Sequence, residues 1–251
     1  MRSKNKILEI KNLSKNYKSR KDTTHVIKDV SFCVYEGEIL SIVGTSGCGK
    51  STLLNIISGL LDYSSGSIKY NINQYDIRYM LQEPALFPWL NIEKNAKLGC
   101  IINKTSNEDY IDMLLKRYDL YHFKNKYPKD ISGGMKQRVA LIRTLSLKPK
   151  LLLLDEPFAA LDYQTRLSIS KDVYDLIKEN NITAIIITHD ISEAISLSDR
   201  VIVLSKRPCT IKNIHEINLN EKSDPIKNQK DKLFPYYFEL IGKDLDLFND
   251  A

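Results

Sequence analysis

No stretch of the 251 residues approaches the ~18 unbroken apolar positions that a bilayer-crossing helix needs, so membrane contact is expected to run through a partner. The opening segment, Met1 to Lys6, is polar and lacks the apolar centre of a secretory leader, which argues against export. Cysteine is sparse. Cys33, Cys48, Cys100 and Cys209 are scattered without metal-ligand spacing, which excludes a disulfide frame and reads as reduced thiols in a cytosolic protein. There is no internal repeat, no low-complexity tract and no sustained heptad pattern. Excess charge is also small, a formal +6, with much of it near the start at Lys4, Lys6, Lys11, Lys15, Lys18, Arg20, Lys21 and Lys28. That cluster fits either a nucleic-acid footprint or a solvated face with interspersed polar residues, and the second reading is favoured.

What is present is a chain of ordinary composition, 43% hydrophobic and 27% charged, long enough to bury a real core as one large domain or two small lobes. Period-two alternation over Ile7 to Ile10 and Val26 to Glu36 predicts half-buried strands. After a turn at Tyr35-Glu36-Gly37-Glu38, the apolar run Ile39 to Val43 predicts a fully buried strand. A glycine-rich loop and a helix over Ser51 to Leu60 follow. Residues 83 to 145 read as a separate, mainly helical lobe that opens on Leu86-Phe87-Pro88-Trp89-Leu90. Buried strands are expected at Leu151 to Leu154 and Ile182 to Thr188, helices at Leu167 to Glu179 and Ile191 to Leu197, and late strands at Val201 to Leu204 and Thr210 to Glu216. Asn218 to Asp231 reads as loop, and Leu233 to Phe248 as a short helical tail that packs on the core or regulates, packing being favoured. Buried strands alternating with helices predict an α/β core with a largely parallel sheet.

Chemistry concentrates in a few places. Gly44-Thr45-Ser46-Gly47-Cys48-Gly49-Lys50-Ser51 matches the G-x-x-x-x-G-K-[ST] phosphate loop, in the strand–loop–helix context the chemistry requires. Glycines let backbone N–H groups turn inward on phosphate oxygens, and the helix start adds its partial positive charge. Lys50 supplies a point charge to the β- and γ-phosphates, Ser51 a hydroxyl to Mg²⁺, and Cys48 is expected to be a spacer at a free position whose oxidation could block the nucleotide. Asp155-Glu156 ends the run Leu151 to Leu154, where open α/β sheets bind ligands, so Asp155 is expected on Mg²⁺ through its water shell and Glu156 on the attacking water. Alone, that pair could equally be an acidic turn; the phosphate loop about a hundred residues earlier decides for the site. Ser132-Gly133-Gly134 opens a helix running through Arg143 and makes a second anion site.

Ile131-Ser132-Gly133-Gly134-Met135-Lys136-Gln137-Arg138 resembles the signature of ABC ATPases, although the family usually begins it with Leu and often has Gln where Met135 stands. Further motifs fall in family order. Gln82, after Tyr79-Met80-Leu81, looks like the switch glutamine near Mg²⁺ and the water. Ala160-Leu161-Asp162 looks like the D-loop that links two sites across a dimer. His189, after Ile185-Ile186-Ile187-Thr188, looks like the histidine that contacts the γ-phosphate. Tyr17 fits the aromatic that stacks on adenine, and Thr52 belongs with the phosphate-loop residues that hold nucleotide.

The resemblance, which runs from about Leu8 to Pro208, implies a P-loop NTPase (RecA-like) α/β core with an antiparallel β subdomain and an inserted α-helical subdomain. It implies an ATPase domain over 1–217, with the helical subdomain at about 83–145, and a tail over 218–251. It implies ATP and Mg²⁺ as cofactors and a head-to-tail dimer with a second copy. Transmembrane permease subunits, an extracytoplasmic solute-binding protein, a place on the cytoplasmic face of the membrane and no nucleic acid complete the expectation. Pro84-Ala85-Leu86-Phe87-Pro88-Trp89, Ser132 to Arg138, Asp155 to Asp162, Tyr163-Gln164-Thr165-Arg166 and Leu204-Ser205-Lys206-Arg207-Pro208 look most similar to importers of the nitrate, sulfonate and taurine group, which includes relatives proposed to import a thiamine-precursor pyrimidine. An ABC exporter subunit and a soluble ABC ATPase acting on DNA or ribosomes are the alternatives. For Trp89, ordinary core packing competes with a role in passing motion to membrane subunits.

Overall fold

Nine strands and eight α-helices are formed by the residues that the computed structural model describes, 5–19, 22–219 and 224–247. The polar start through Lys4, the basic residues Arg20 and Lys21, positions 220–223 of the expected loop and Phe248 of the expected tail lie outside them.

β1 (Lys6–Lys18) and β2 (Thr23–Tyr35) are long antiparallel partners, and β4 (Ser65–Tyr70) joins the free edge of β1, so the sheet runs β2-β1-β4. Alternation buries Leu8, Ile10, Val30 and Val34 on one face, as period two requires. β4 was not legible in SGSIKY, which shows no clean alternation. Its Gly66, at φ 98, is required by contact: an added Cβ would stand 2.4 Å from the Asn12 carbonyl oxygen.

The larger sheet has the order β5-β6-β7-β3-β8-β9, made of β3 (Ile39–Val43), β5 (Ile77–Met80), β6 (Leu151–Asp155), β7 (Thr183–Ile187), β8 (Arg200–Leu204) and β9 (Ile211–Glu216). The pairs from β5 through β8 are parallel, and only β8–β9 is antiparallel. β3, β6 and β7 are buried at every residue, as largely apolar strands are in a sheet covered on both faces, with Ser41, Asp155 and Thr183 as their polar members. α1 (Lys50–Ile57) packs Leu53, Leu54 and Ile57 between the two sheets. Leu81 stands exposed beyond the end of β5 rather than within it.

The segment 83–145 places α2 (Ile92–Asn103), α3 (Glu108–Arg117) and α4 (Gly133–Leu145) over one core with Leu152, Leu154 and Phe158. Its entry is irregular rather than helical, and two residues shape it. Asn95, fully buried on α2, accepts from Phe87 N at 2.8 Å and donates to the carbonyls of Phe87, Leu90 and Asn91 at 2.9–3.1 Å. Arg143 on α4 donates to the carbonyls of Pro84 and Ala85 at 2.8 and 2.9 Å. The loop therefore presents Phe87 and Trp89 outward, their ring centroids 5.1 Å apart. Trp89 is 69% exposed, which overturns core packing for it.

α5 (Tyr163–Glu179) starts four residues before the first apolar position of its stripe because Asp162 caps it, accepting from Thr165 N at 3.0 Å. α6 (Ile191–Leu197) follows β7. The expected loop 218–231 contains a short α7 (Pro225–Asn228): Asp224 accepts from Ile226 N and Lys227 N, and proline occupies the first turn, where its missing N–H costs nothing. α8 (Phe234–Asp244) buries Tyr237 and Ile241 against Val43, Ala194, Val201 and Val203. Asp244 at its end accepts from Asn213 at 2.8 Å and meets His215 Nε2 at 2.6 Å, fastening the helix to β9.

Candidate functional site

The loop between β3 and α1 turns at Gly47, φ 71, and Gly49, φ 130, backbone conformations that side chains with a Cβ resist. Gly49 is also crowded: an added Cβ would lie 3.1 Å from Val26 Cγ1 and 3.3 Å from Cys209 Sγ. Because Gly49 gives α1 no side-chain cap, the N–H groups of the first turn stay available to an anion. The Lys50 ammonium bends back over the loop and donates to the carbonyls of Gly44 at 2.8 Å and Thr45 at 3.1 Å.

A cavity of about 490 Å³ opens above this loop. It is lined by Ser46, Gly47, Gly49, Lys50, Ser51 and Thr52 of the loop and α1, and by Gln82, Glu156, His189 and Arg207. Each of the last four arrives from a strand end or just beyond: Gln82 after β5, Glu156 after β6, His189 after β7 and Arg207 after β8. The parallel sheet thus delivers separated sequence positions to a single edge, as open α/β sheets do. Gln82 Nε2 donates to Glu156 Oε2 at 3.2 Å, and His189 Nδ1 stands 3.4 Å from the same oxygen. Glu156 itself sits at φ 47, a conformation unfavourable for a residue with a Cβ, held by its N–H to the Ile187 carbonyl at 2.9 Å.

Asp155 is buried at the end of β6. Burial pushes its carboxyl above the ordinary range, and hydrogen bonds from the Ser51 and Tyr79 hydroxyls pull it back, the latter at 3.2 Å. Its Oδ1 has no hydrogen-bond partner among the described residues. A buried carboxylate oxygen left unpaired beside a serine hydroxyl fits the hard oxygen donors that Mg²⁺ prefers. The loop amides, the lysine and the cavity fit a triphosphate equally.

Other sequence-derived candidates lie elsewhere. Ser132 caps α4, accepting from Met135 N at 3.3 Å, and neither it nor Gly133 or Gly134 lines the cavity. Asp162 caps α5 and is likewise absent from the lining. Tyr17 ends β1 half-exposed, with the Lys15 ammonium 5.0 Å from its ring centre. Cys48, at a variable position of the motif, is 2% exposed and packs in the core with Cys209. Burial raises the Cys209 thiol to about 12, with Cys48 adding to the shift. Arg207 was missed as a cavity residue. It donates from Nη2 to the Gly47 carbonyl at 2.8 Å, and no spacing in the sequence links the β8–β9 turn to a loop 160 residues earlier.

Comparison with known proteins agrees with this geometry. A family model described as ABC transporter matches residues 27–159. An uncharacterized ABC transporter ATP-binding protein of Bacillus subtilis is 41% identical over 248 residues, covering 95% of each chain. A nitrate transport protein of Klebsiella oxytoca is 35% identical over 94% of each chain. An aliphatic sulfonates import ATP-binding protein of Pseudomonas syringae pv. tomato is 40% identical over 80% of this chain and 86% of that one. Among solved structures, the dimer of an ATP-binding cassette in a post-hydrolysis state, bound to ADP and Pi, superposes with a TM-score of 0.76 at 31% identity, covering 84% of this chain and 99% of that chain.

Proposed function

The chain belongs to the ABC transporter family, and from that premise we propose that it works as one of two head-to-tail ATPase subunits of an importer for a small solute of the nitrate, sulfonate or taurine type, or a thiamine-precursor pyrimidine. It is an ABC ATPase, and its hydrolysis of ATP serves transport. The observation that carries the dimer reading is a separation: one cavity gathers the phosphate loop, Gln82, Glu156 and His189, while Ser132, Gly133 and Gly134 of the same chain lie outside its lining. A second copy turned head to tail supplies that helix start to the γ-phosphate.

The chain's own residues then divide the work. The loop amides and Lys50 bind the triphosphate and neutralise its oxygens. Ser51, Asp155 and Gln82 hold Mg²⁺, which supplies positive charge to the phosphoryl oxygens when bound. Glu156 accepts a proton from the attacking water at Oε2, and Gln82 and His189, both already beside that oxygen, hold it in line. Tyr17 stacks on adenine, a contact of roughly 1–3 kcal/mol by analogy with base–aromatic pairs. The Phe87–Trp89 surface receives a short helix of a permease subunit, which places the ATPase on the cytoplasmic face of the membrane; no helix among the described residues is long and apolar enough to cross it. The solute is chosen by a separate binding protein and the permease.

Substituting Glu156→Gln tests the assignment. ATP binding is expected to persist while turnover falls by at least about a hundredfold, the scale on which a lost general base is felt, and light scattering should show a nucleotide-trapped dimer. A Glu156→Gln protein that hydrolyses ATP at the wild-type rate would remove the carboxylate from the mechanism.

A further inference from the structure

Two turns are bridged by one side chain. One is Leu161-Asp162, leading into α5, and the other is Thr188-His189-Asp190, leading into α6. Arg166 lies in the first turn of α5 and reaches both. Its Nη2 donates to the Leu161 carbonyl at 3.3 Å and its Nη1 to Asp190 Oδ2 at 3.4 Å. The other oxygen of Asp190 accepts from Ser192 N at 2.8 Å and Glu193 N at 3.2 Å, which locks it to α6. Asp190 N donates to Thr188 Oγ1 at 3.0 Å, closing the turn around His189. A carboxylate adjacent in sequence to the histidine is therefore held by a guanidinium that also holds the D-loop turn.

Neither the triphosphate nor the water requires this arrangement, because Arg166 does not line the cavity. Arg166 Nε is buried with no partner among the described residues, so the side chain is confined in a polar interior without being saturated there. A guanidinium presents its donors in a fixed fork and bridges two acceptors at set separation, which a lysine cannot do. Both bridging contacts, at 3.3 and 3.4 Å, are longer than an ordinary N–H···O bond, and both hang on one side chain, so a shift of either turn that moves the guanidinium alters the other contact.

We propose that Arg166 is a positioning residue that couples the Leu161–Asp162 turn to the His189 turn, so that a second subunit pressing on the first turn sets the approach of His189 to Glu156. The coupling rests on the ATPase-dimer reading above. It differs from an ordinary half-exposed ion pair, which contributes little to stability and nothing to turnover.

The test is a double-mutant cycle on the full chain, read by steady-state ATPase kinetics and by thermal unfolding. Asp190→Asn keeps an oxygen to cap α6 but loses the charge that Arg166 holds. Arg166→Ala and Asp190→Asn are each expected to lower kcat about tenfold while KM for ATP moves less than about twofold, and the double variant should be no slower than the slower single. Arg166→Lys, with the charge but not the fork, should stay well below wild type. Unchanged kcat in the single variants, losses that multiply in the double, or full recovery with lysine would each overturn the coupling. If Arg166→Ala does not fold, Asp190→Asn, Arg166→Lys and their combination complete the cycle. A wild-type chain without ATPase activity would instead sink the proposed function itself, a failure visible before any variant is made.

Discussion

Glu193 shows how far a single side chain can sit from its ordinary chemistry. It lies on α6, almost wholly buried, and burial raises its carboxyl to about 8; nearby Asp190 and Glu156 add to the shift, while Arg166 and the Thr188 hydroxyl oppose it. The folded state thus holds a proton that an unfolded chain releases near 4.5. Its contribution to stability is complete below that value and is lost as pH rises towards 8, with a slope on the order of 1 kcal/mol per pH unit. Glu193→Gln cannot ionise, so denaturant unfolding of wild type and variant should diverge between pH 5 and 8, the variant gaining relative stability. Parallel curves would show that the carboxyl titrates normally. Residue identity was readable where a motif fixes it, as at Lys50, Asp155 and His189, but side-chain direction was not. Cys48 occupies a variable position of the phosphate loop, and only its packing in the core with Cys209, its thiol close to Gly44, shows that it turns inward. Arg207 belongs to a segment that carries the family resemblance but to no phosphate motif, and its link to Gly47 exists only because β8 lies beside β3.

At the level of elements, legibility followed the strength of local pattern. β3 and α6 begin and end where the sequence places them, because a short run apolar but for Ser41 fits a fully buried strand and Asp190 marks the start of α6. β4 is an edge strand whose register comes from β1 rather than from its own residues, so nothing in it announces a strand. α7 did carry a signal, aspartate followed by proline, inside a stretch too polar to draw notice. The irregular entry to the helical lobe is the least local of all, since one amide on α2 satisfies four backbone groups of it. Asn95→Ala leaves Phe87 N and the Leu90 carbonyl without a partner, while the Phe87 and Asn91 carbonyls keep their bonds from Leu90 N and Asn95 N, and it opens a small void. It should cost about 2–4 kcal/mol in chemical denaturation and free the Phe87–Trp89 loop to exchange its amide protons faster. Protection factors unchanged at residues 87–91 would show that the loop holds its own shape.

Across the whole molecule, three buried clusters meet at the larger sheet: one under the helical lobe, one between the two sheets around α1, and one under α6 and α8. The cavity lies where the elements that carry these clusters begin: Lys50 and Ser51 open α1, Gln82 leads into the lobe and His189 leads into α6. Gln137 of α4 reaches towards the Gln82 carbonyl at 3.5 Å, so the helix that Ser132 opens leans on the same segment that bears the glutamine. Cavity and lobe are in this way neighbours through one short stretch of chain, from Met80 to Leu90.

Trp89 is the sole tryptophan among 251 residues, and it stands 69% exposed at the end of that stretch. The chain therefore carries a built-in optical probe at its outer lobe. Emission from the free protein should peak where water-bathed indoles do, and shift to the blue when permease in detergent or lipid discs is titrated in. A spectrum indifferent to saturating permease would mean that the lobe meets its membrane partner elsewhere, or does not meet it.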